Sequence, residues 1–377
     1  MKFTLDDDQA QVAALAKEIL GDHTNFQHVQ KIEAEGGFDS KLWKLLADAG
    51  LLGVGLPESV GGLDLGMQGV VALLEQQGHT VAPVPLWAAT CLAALPLAEF
   101  GTAEQQERWL TPLLDGSHLV TGSFDAPGND RAVLTATPSG DGWVLNGMLP
   151  KVPAAEHAVA MVVPAALPDG GIEVFVVPTD LVERAPAEVT NWQNTAAVTC
   201  TDVPVTAEHR LSAEGRSGAD IVAWIRRRAR VGLAGLALGI CAEDVRRTAA
   251  YTSEREQFGR PLSTNQAVTF RMANAHLDTE MIRLTVLRAA SLLDEGHEVE
   301  GDTASLVAKW WVAKATIAVV VNGQMLHGGL GGDVEYPIHR YFLWGRDAAY
   351  TLGSAPQIAA ELGAVLGERN PRIGDAE

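Results

Sequence analysis

Hydrophobic periodicity changes twice along this chain, and these changes constrain the fold more than any single motif. Apolar residues recur at helical spacing up to about residue 117, alternate with polar residues from about 119 to 211, and return to helical spacing from residue 218 onward. Helices followed by strands and then by helices are typical of an α+β chain rather than of repeated βαβ units. The sequence therefore predicts an α+β fold with an N-terminal α-helical domain at 1–117, a middle β domain at 118–213 and a C-terminal four-helix-bundle domain at 214–377.

The N-terminal part carries recognisable helix starts. "FTLDDDQAQVAALAKEIL" opens on aspartates, which favour a helix N-terminus, and its periodicity predicts a buried face of Val12, Leu15 and Ile19. "GTAEQQERWLTPLLDG" contains a capping box in which Thr102 is the N-cap and Gln105 lies three residues on. "GLPESVGGLDLG" between them is typical of a loop.

The middle and C-terminal parts each have a regular pattern. Apolar and polar residues alternate on both sides of the Asp141-Gly142 and Asp169-Gly170 turns, which predicts two hairpins in a small antiparallel β domain. Beyond it, helical spacing covers four long stretches, at about 218–255, 264–295, 300–326 and 338–367. We expect these four stretches to form the helical bundle.

Composition excludes several classes of function. A formal net charge of −19 argues against a nucleic-acid partner, because phosphate binding needs a basic surface. No uninterrupted apolar run reaches the ~18–20 residues of a membrane span, and the N-terminus lacks the order of a signal peptide, so we expect a cytoplasmic protein without membrane association. The three cysteines, Cys91, Cys200 and Cys241, form no CxxC pair, which predicts buried free thiols and no metal site.

A glycine cluster and two groups of arginines are the candidate anion-binding features. Gly328 to Asp333 reads "GGLGGD", which lacks the GxGxxG order of a dinucleotide fold but allows backbone amides to approach a phosphate. The arginines of "WIRRRAR" fit either a solvated helix face with ion pairs or an anion site. They are Arg226, Arg227, Arg228 and Arg230.

The segment "SEREQFGRPLS" is a more specific candidate for anion binding. Arg255 and Arg260 bracket Phe258-Gly259 at a predicted helix end, a combination of guanidinium groups, an aromatic face and a flexible backbone that suits the phosphates and adenine of a nucleotide. The alternative is a helix-end salt-bridge cluster with Glu254 and Glu256. No nucleophile elbow or HExxH motif occurs in the sequence.

Four segments resemble the acyl-CoA dehydrogenase family over essentially the whole chain. They are "GLLGVGLPESVGG", "GDGWVLNG", "YTSEREQFGRPLSTNQAV" and "HGGLGGDVEYPIHRY". The resemblance implies the family's fold of a helical domain, a β domain and a four-helix domain, with FAD at a dimer interface. It also implies α,β-desaturation of an acyl-CoA, in which a glutamate removes the α-proton and the β-hydrogen leaves as hydride to the flavin.

Neither of the family's two positions for that glutamate holds an acid here. Fifteen residues beyond Pro337 the chain has Leu352, and the alternative position, counted back from Phe258, holds Ala229. A leucine and an alanine cannot accept a proton, so the resemblance implies a chain without a catalytic residue at either position.

Motifs that face the flavin ring in the family are altered as well. The chain has "GSFDAPGNDRA" with Phe124 where the family has threonine, and "LPKVP" where it has a tryptophan and a threonine. The motif that reaches across the dimer to the neighbour's FAD is better kept, although Met325 replaces its glutamine and Gln324 is displaced by one position. The cofactor-binding residues implied by the match are Arg255, Gln257, Phe258, Gln266, Gly328 and Gly329.

This combination resembles the non-catalytic subunit of the actinobacterial α2β2 acyl-CoA dehydrogenases that degrade steroid side chains. It implies a homologous catalytic partner subunit that binds most of the acyl-CoA, FAD shared across the interface, and two FAD per tetramer. Two alternatives stay open at this point. The chain could be a self-sufficient homotetrameric dehydrogenase with a non-standard base, or a flavin oxidase or monooxygenase on the same fold.

Overall fold

The chain forms two compact units in the computed structural model, which describes residues 4–124 and 132–369. One unit comprises residues 7–73 and 82–229, and the other comprises residues up to 6, 74–81 and those from 230 onward. Helices α4 (Gly66–Thr80) and α8 (Gly218–Glu254) contribute to both units. The three domain ranges proposed from the sequence stay a prediction.

The N-terminal segment is helical, as the sequence predicts. Its helices are α1 (Asp7–His23), α2 (Phe26–Ala34), α3 (Ser40–Asp48), α4, α5 (Leu95–Phe100), α6 (Ala103–Gln105) and α7 (Thr111–Leu114). The capping box is confirmed, because the Thr102 hydroxyl accepts from the Gln105 amide and the Gln105 side chain accepts from the Thr102 amide.

The predicted buried face of α1 was wrong in part. Its buried residues are Gln9, Val12, Ala16 and Leu20, whereas Leu15 is 39% exposed. The buried face is therefore rotated relative to the predicted one, since an alanine and a glutamine take core positions that their polarity and size did not suggest.

The middle segment forms one eight-stranded sheet. Its strands are β1 (Val120–Gly122), β2 (Leu134–Ser139), β3 (Gly142–Pro153), β4 (Ala160–Ala166), β5 (Ile172–Pro178), β6 (Glu183–Pro186), β7 (Thr195–Val205) and β8 (Arg210–Leu211). The spatial order is β6-β7-β3-β2-β4-β5-β8, with β1 beside β4. Both predicted hairpins, β2–β3 and β4–β5, are present, but the sheet is mixed because β4 pairs in parallel with β1 and β2.

The C-terminal bundle contains α8, α9 (Gln266–Asp294), α10 (Glu298–Leu326), α11 (Ile338–Tyr350) and α12 (Ala355–Arg369). The strands β9 (Glu256–Gln257) and β10 (Arg260–Pro261) form a small hairpin between α8 and α9. Three of the four predicted helical stretches match α8, α9 and α10 closely. The fourth is interrupted at residues 351–354, and Leu352 lies in that interruption.

Helix α10 differs from the expectation that no apolar stretch is long enough to span a membrane. The described part of the chain holds one helix long and apolar enough to cross a membrane by length and composition, and it is α10. In the structure 61% of its most apolar 18-residue window is buried, and the helix packs against α9, α11 and α12. A helix that is apolar on most sides is expected at the centre of a bundle.

The prediction that the three cysteines are buried free thiols is confirmed. Cys91, Cys200 and Cys241 are free and buried. Burial raises the pKa of the Cys200 thiol to about 11 and raises the pKa values of the other two, so all three thiols are protonated at neutral pH. Within the described residues, no group of three His, Cys, Asp or Glu side chains is arranged to hold a metal ion.

Candidate functional site

A groove of about 690 Å³ lies at the C-terminal ends of α8 and α10, and we call it the hairpin groove. Its lining residues come from the end of α8, the β9–β10 hairpin, the start of α9 and the glycine segment after α10. They are Tyr251, Arg255, Gln257, Phe258, Arg260, Pro261, Leu262, Asn265, Met325, Leu326, His327, Gly328, Gly329 and Leu330.

The β9–β10 hairpin presents an aromatic side chain to solvent. Phe258 and Gly259 form its turn with φ angles of 55° and 76°, and the Phe258 side chain is fully exposed, at 100%. A phenylalanine with positive φ is strained, since the left-handed region favours Gly, Asn and Asp. The strained and exposed Phe258 gains nothing from packing within this chain, which indicates a role in contact with another molecule.

Arg255 and Arg260 are available for such a contact. Both are exposed, and among the described residues neither guanidinium forms a hydrogen bond or an ion pair. The alternative interpretation, a salt-bridge cluster with Glu254 and Glu256, is therefore wrong. The two free positive charges beside an exposed aromatic ring can bind a phosphate-bearing ligand.

The glycine segment forms the opposite wall of the groove. It is a 3-10 turn, Gly328–Gly332, in which Gly328 has a φ of 61°. A Cβ atom at Gly328 or Gly329 would meet nothing within 4 Å, so the backbone there is open to a ligand. The displaced Gln324 does not face this ligand position, because its amide donates to the Gly331 carbonyl at 3.0 Å, and Met325, 59% exposed, lines the groove instead.

His327 forms the floor of the groove, and sequence reasoning did not identify it. Its ring is 2% exposed and stacks on Tyr251 with centroids 4.3 Å apart. Burial lowers the pKa of His327, while Nδ1 lies 2.7 Å from the Gly323 carbonyl and therefore carries the proton of a neutral ring. Nε2 is then an acceptor with no hydrogen-bond partner among the described residues. An unpaired buried acceptor at a groove floor indicates a ligand donor.

Five of the six predicted cofactor-binding residues meet in this groove. Arg255, Gln257, Phe258, Gly328 and Gly329 all line it. Gln266 is exposed in the first turn of α9, directly after Asn265, which caps α9 through its side chain and lines the groove. Contact of these six residues with a cofactor stays a prediction.

Leu352 lies at the first of the two positions that the sequence resemblance assigns to the base. Its side chain is 2% exposed and its φ angle is 60°, in the interruption between α11 and α12. The end of α11 is fixed by the fully buried Lys309, whose amine donates to the carbonyls of Ala348 and Ala349 at 3.2 and 2.8 Å. The structure thus places a buried hydrocarbon at this position in a strained backbone conformation.

Ala229, at the second position that the resemblance assigns to the base, is fully buried in α8. Its carbonyl accepts a hydrogen bond from Trp87 Nε1 at 2.9 Å, and its methyl group has no acid–base chemistry. The next residue, Arg230, binds the Glu361 carboxylate at 2.6 and 2.7 Å. The interpretation of the "WIRRRAR" arginines as a solvated helix face is wrong for three of the four. Arg226, Arg228 and Arg230 are at most 9% exposed.

In the positions that the resemblance places at a flavin ring, Phe124 and the two prolines of "LPKVP" stand where the family has hydrogen-bonding side chains. Phe124 is 2% exposed, and the carbonyl of Pro153 already accepts from the Thr121 hydroxyl at 2.7 Å. In the rest of the "GSFDAPGNDRA" segment, residues 125–131 lie outside the described residues. A phenylalanine side chain and the prolines of "LPKVP" cannot donate a hydrogen bond to a flavin.

Comparisons with known proteins agree with this architecture. Residues 6–117 match the family description "Acyl-CoA dehydrogenase, N-terminal domain" and residues 216–355 match "Acyl-CoA dehydrogenase, C-terminal domain". Acyl-CoA dehydrogenase FadE27 of Mycobacterium tuberculosis is 30% identical over 98% of this chain and 99% of that protein.

Two solved structures are similar over their whole length. A variant of the Tcur3481-Tcur3483 steroid ACAD is 38% identical with a TM-score of 0.90, covering 98% of this chain and 100% of that one. A chain of the ChsE4-ChsE5 complex from Mycobacterium tuberculosis is 30% identical with a TM-score of 0.90, covering 98% and 99%. FadE27 is 30% identical to this chain over nearly its whole length, and both family domains match. This chain therefore belongs to the acyl-CoA dehydrogenase family.

Proposed function

We propose that this chain is the subunit without a catalytic base in a heteromeric FAD-dependent acyl-CoA dehydrogenase, and that it completes the FAD site of a homologous catalytic partner. The single observation that carries the proposal is the buried Leu352 at the base position. Removal of a general base lowers a rate by roughly 10²–10⁴-fold, and a leucine supplies no substitute.

Glu361, which is bound by the residue after Ala229, does not replace the base. Glu361 is the carboxylate bound by Arg230, the neighbour of Ala229, through two contacts of 2.6 and 2.7 Å. Both carboxylate oxygens of Glu361 therefore contact the buried guanidinium of Arg230. This pairing supports a chain without desaturation chemistry of its own.

The hairpin groove fits the nucleotide portion of an FAD that belongs to a partner. Arg255 offers an unpaired charge to the pyrophosphate, the exposed Phe258 ring offers a face to the adenine, and Gly328 and Gly329 offer open backbone. FAD is the family's cofactor and, when bound, accepts the β-hydride of the substrate. The groove residues would bind and orient its nucleotide end without taking part in the proton transfer.

The flavin-ring positions of this chain do not fit the cofactor in the same way. Phe124 is buried and cannot donate, and the prolines of "LPKVP" remove two backbone donors. A chain that can bind the nucleotide end of FAD but does not suit its flavin ring would complete the FAD site of another subunit. We therefore propose FAD shared across a subunit interface, with two FAD in an α2β2 tetramer.

The substrate class is inferred from similar complexes. The solved structures that resemble this chain include the Tcur3481-Tcur3483 steroid ACAD and the ChsE4-ChsE5 complex, both named for two components. We infer that the partner desaturates the CoA thioester of a steroid side chain and binds most of that substrate.

Expression of the chain alone and together with a homologous subunit that retains a glutamate at either base position tests the proposal. We expect the isolated chain to purify with little flavin and no acyl-CoA dehydrogenase activity, and the co-purified complex to contain one FAD per two chains. One FAD per chain together with turnover by the isolated protein would contradict it and would support a self-sufficient dehydrogenase.

A further inference from the structure

Asp244 places a carboxyl group at the contact between α8 and α10. Its side chain is 1% exposed, and a Cβ atom added to Gly323 of α10 would lie 2.2 and 2.5 Å from its two oxygens. The carboxyl therefore packs directly against the α10 backbone. Its Oδ2 atom has no hydrogen-bond partner among the described residues. A buried polar atom without a partner is costly, so such an atom indicates a ligand.

Thr248 supplies a second unpaired atom one helical turn further along α8. It is fully buried, and its Oγ1 atom has no hydrogen-bond partner within the part of the chain that the structure describes. Residues four apart lie on the same face of a helix, so the Thr248 hydroxyl and the Asp244 carboxyl are neighbours. Two unpaired polar groups side by side form a site rather than a single defect.

The Thr248 hydroxyl does not use the partner that other buried threonines of the bundle use. Thr252 and Thr279 each donate to the carbonyl four residues earlier, both at 2.8 Å. Such a bond is the usual way for a threonine inside a helix to satisfy its hydroxyl. The corresponding bond from Thr248 to the Asp244 carbonyl is not made. The hydroxyl of Thr248 is therefore available to something other than its own helix.

The charges around these two groups favour a neutral ligand. Burial raises the pKa of Asp244 well above its ordinary value, while the charge of Arg247 opposes the shift and that of Glu243 adds to it. The Arg247 guanidinium binds Glu243, with 2.7 Å between Nε and Oε1. A protonated carboxyl and a hydroxyl each offer a donor and an acceptor. Water, with two donors and two acceptors, complements both, whereas a cation requires an ionised carboxylate.

The site lies behind the floor of the hairpin groove. The carbonyl of Gly323 is 3.2 Å from the His327 amide nitrogen, which donates to it, and 2.7 Å from Nδ1 of the same residue. The stretch of α10 that the Asp244 carboxyl contacts is thus the one that orients the His327 ring.

We propose that Asp244 Oδ2 and Thr248 Oγ1 together bind one ordered water molecule at the contact of α8 with α10. This water supplies the missing partner of both atoms and fixes the carboxyl against Gly323. The site is a part of the folded chain itself and does not depend on the proposed function.

The first test compares Thr248→Val with Thr279→Val by urea unfolding of the full-length chain. Valine keeps the shape of threonine and removes the hydroxyl. We expect Thr248→Val to lower the folding equilibrium constant by roughly tenfold, because the water and the carboxyl each lose a partner. Thr279→Val should change it by less than about threefold, since the Thr279 hydroxyl bonds only within its own helix.

The sign of the Thr248→Val effect decides between a hydrated and a dry site. If the hydroxyl had no partner at all, its replacement by a methyl group would stabilise the protein, and that result would overturn the proposal. In an Asp244→Ala background the loss caused by Thr248→Val should shrink, because both side chains bind the same water. Strictly additive losses would contradict a shared water.

A crystal structure of the wild-type chain tests the site without any substitution. We expect a density peak within about 3.2 Å of both Asp244 Oδ2 and Thr248 Oγ1. Well-ordered density for both side chains without such a peak would overturn the proposal. Stability that increases in potassium chloride but not in N-methylglucamine chloride, and that loses this difference in Thr248→Val, would assign a cation to the site and overturn it as well.

Discussion

Arg230 and Glu361 form an ion pair that joins α8 to α12, with one guanidinium nitrogen 2.6 and 2.7 Å from the two carboxylate oxygens. Arg230 is 2% exposed, whereas the Glu361 side chain is 18% exposed. Arg230 follows Ala229 directly in sequence, and Glu361 lies in the helix that follows Leu352, so the pair connects the helices beside the two positions proposed for the base.

Glu361→Gln should lower the free energy of unfolding by about 3 kcal/mol, because it removes a carboxylate that contacts a guanidinium only 2% exposed. Urea unfolding at neutral pH measures this. Glu35→Gln is the control, since Glu35 pairs with Lys31 at 3.8 Å on the surface and its loss should change the free energy by less than about 0.5 kcal/mol. A similar effect of both changes would show that burial does not matter to the pair.

Leu352→Glu should not give the isolated chain dehydrogenase activity. The new carboxyl group would lie in a site that is 2% exposed, which raises the pKa of a carboxyl, and the flavin-ring positions would still lack donors. Dye-coupled oxidation of an acyl-CoA, with flavin content measured in parallel, checks this. Turnover well above background would mean that the missing base is the main defect.

Phe258→Asn should separate stability from cofactor binding. The side chain is fully exposed and its φ is 55°, so asparagine should stabilise the isolated chain by about 0.5–1 kcal/mol. The FAD affinity of the complex should fall by roughly tenfold through loss of an aromatic face. Thermal unfolding and flavin titration measure the two effects, and Phe258→Tyr should leave both near wild type. Unchanged FAD affinity in the asparagine variant would exclude Phe258 from the cofactor site.

Asp244 should make stability decrease as the pH rises. Burial raises the pKa of this carboxyl well above its ordinary value, the charge of Arg247 opposes the shift and that of Glu243 adds to it. Because the folded form retains a proton that the unfolded chain loses above about pH 4, the unfolding free energy declines by up to about 1.4 kcal/mol per pH unit between the two pKa values.

Asp244→Asn removes this pH dependence, so the unfolding free energy of the variant relative to that of the wild type should increase from pH 4 to pH 7. Urea unfolding at intermediate pH values measures the difference. A difference that is constant with pH would show that Asp244 ionises normally in the folded protein.

Gly239→Ala should destabilise the fold severely, by about 3 kcal/mol or more. A Cβ atom there would lie only 1.9 Å from the backbone oxygen of Glu75, where α8 crosses α4. Gly363→Ala on α12 is the matched control, because nothing lies within 4 Å of its added Cβ and the change should stabilise by roughly 0.5–1 kcal/mol. Chemical denaturation of both variants compares the two effects, and equal stabilisation would contradict the close helix crossing.

The sequence predicted local elements well where the signal was local. The capping box of Thr102 and Gln105, both hairpins and three of the long bundle helices follow from spacing and turn chemistry within a few residues. The interruption of the fourth helical stretch at Leu352 was not predicted, since a leucine with positive φ breaks the usual preference and is held by the surrounding structure.

By itself, then, the sequence determined the α+β order of elements, the absence of an acid at residues 229 and 352, and the presence of Arg255, Phe258 and a glycine segment in the chain. Only the tertiary structure decided which of these groups are available to a ligand. In the structure Phe258 is exposed, the Gln324 side chain binds the Gly331 carbonyl, and Nε2 of His327 has no hydrogen-bond partner among the described residues. Burial and hydrogen bonding of this kind depend on contacts between elements that are distant in the chain.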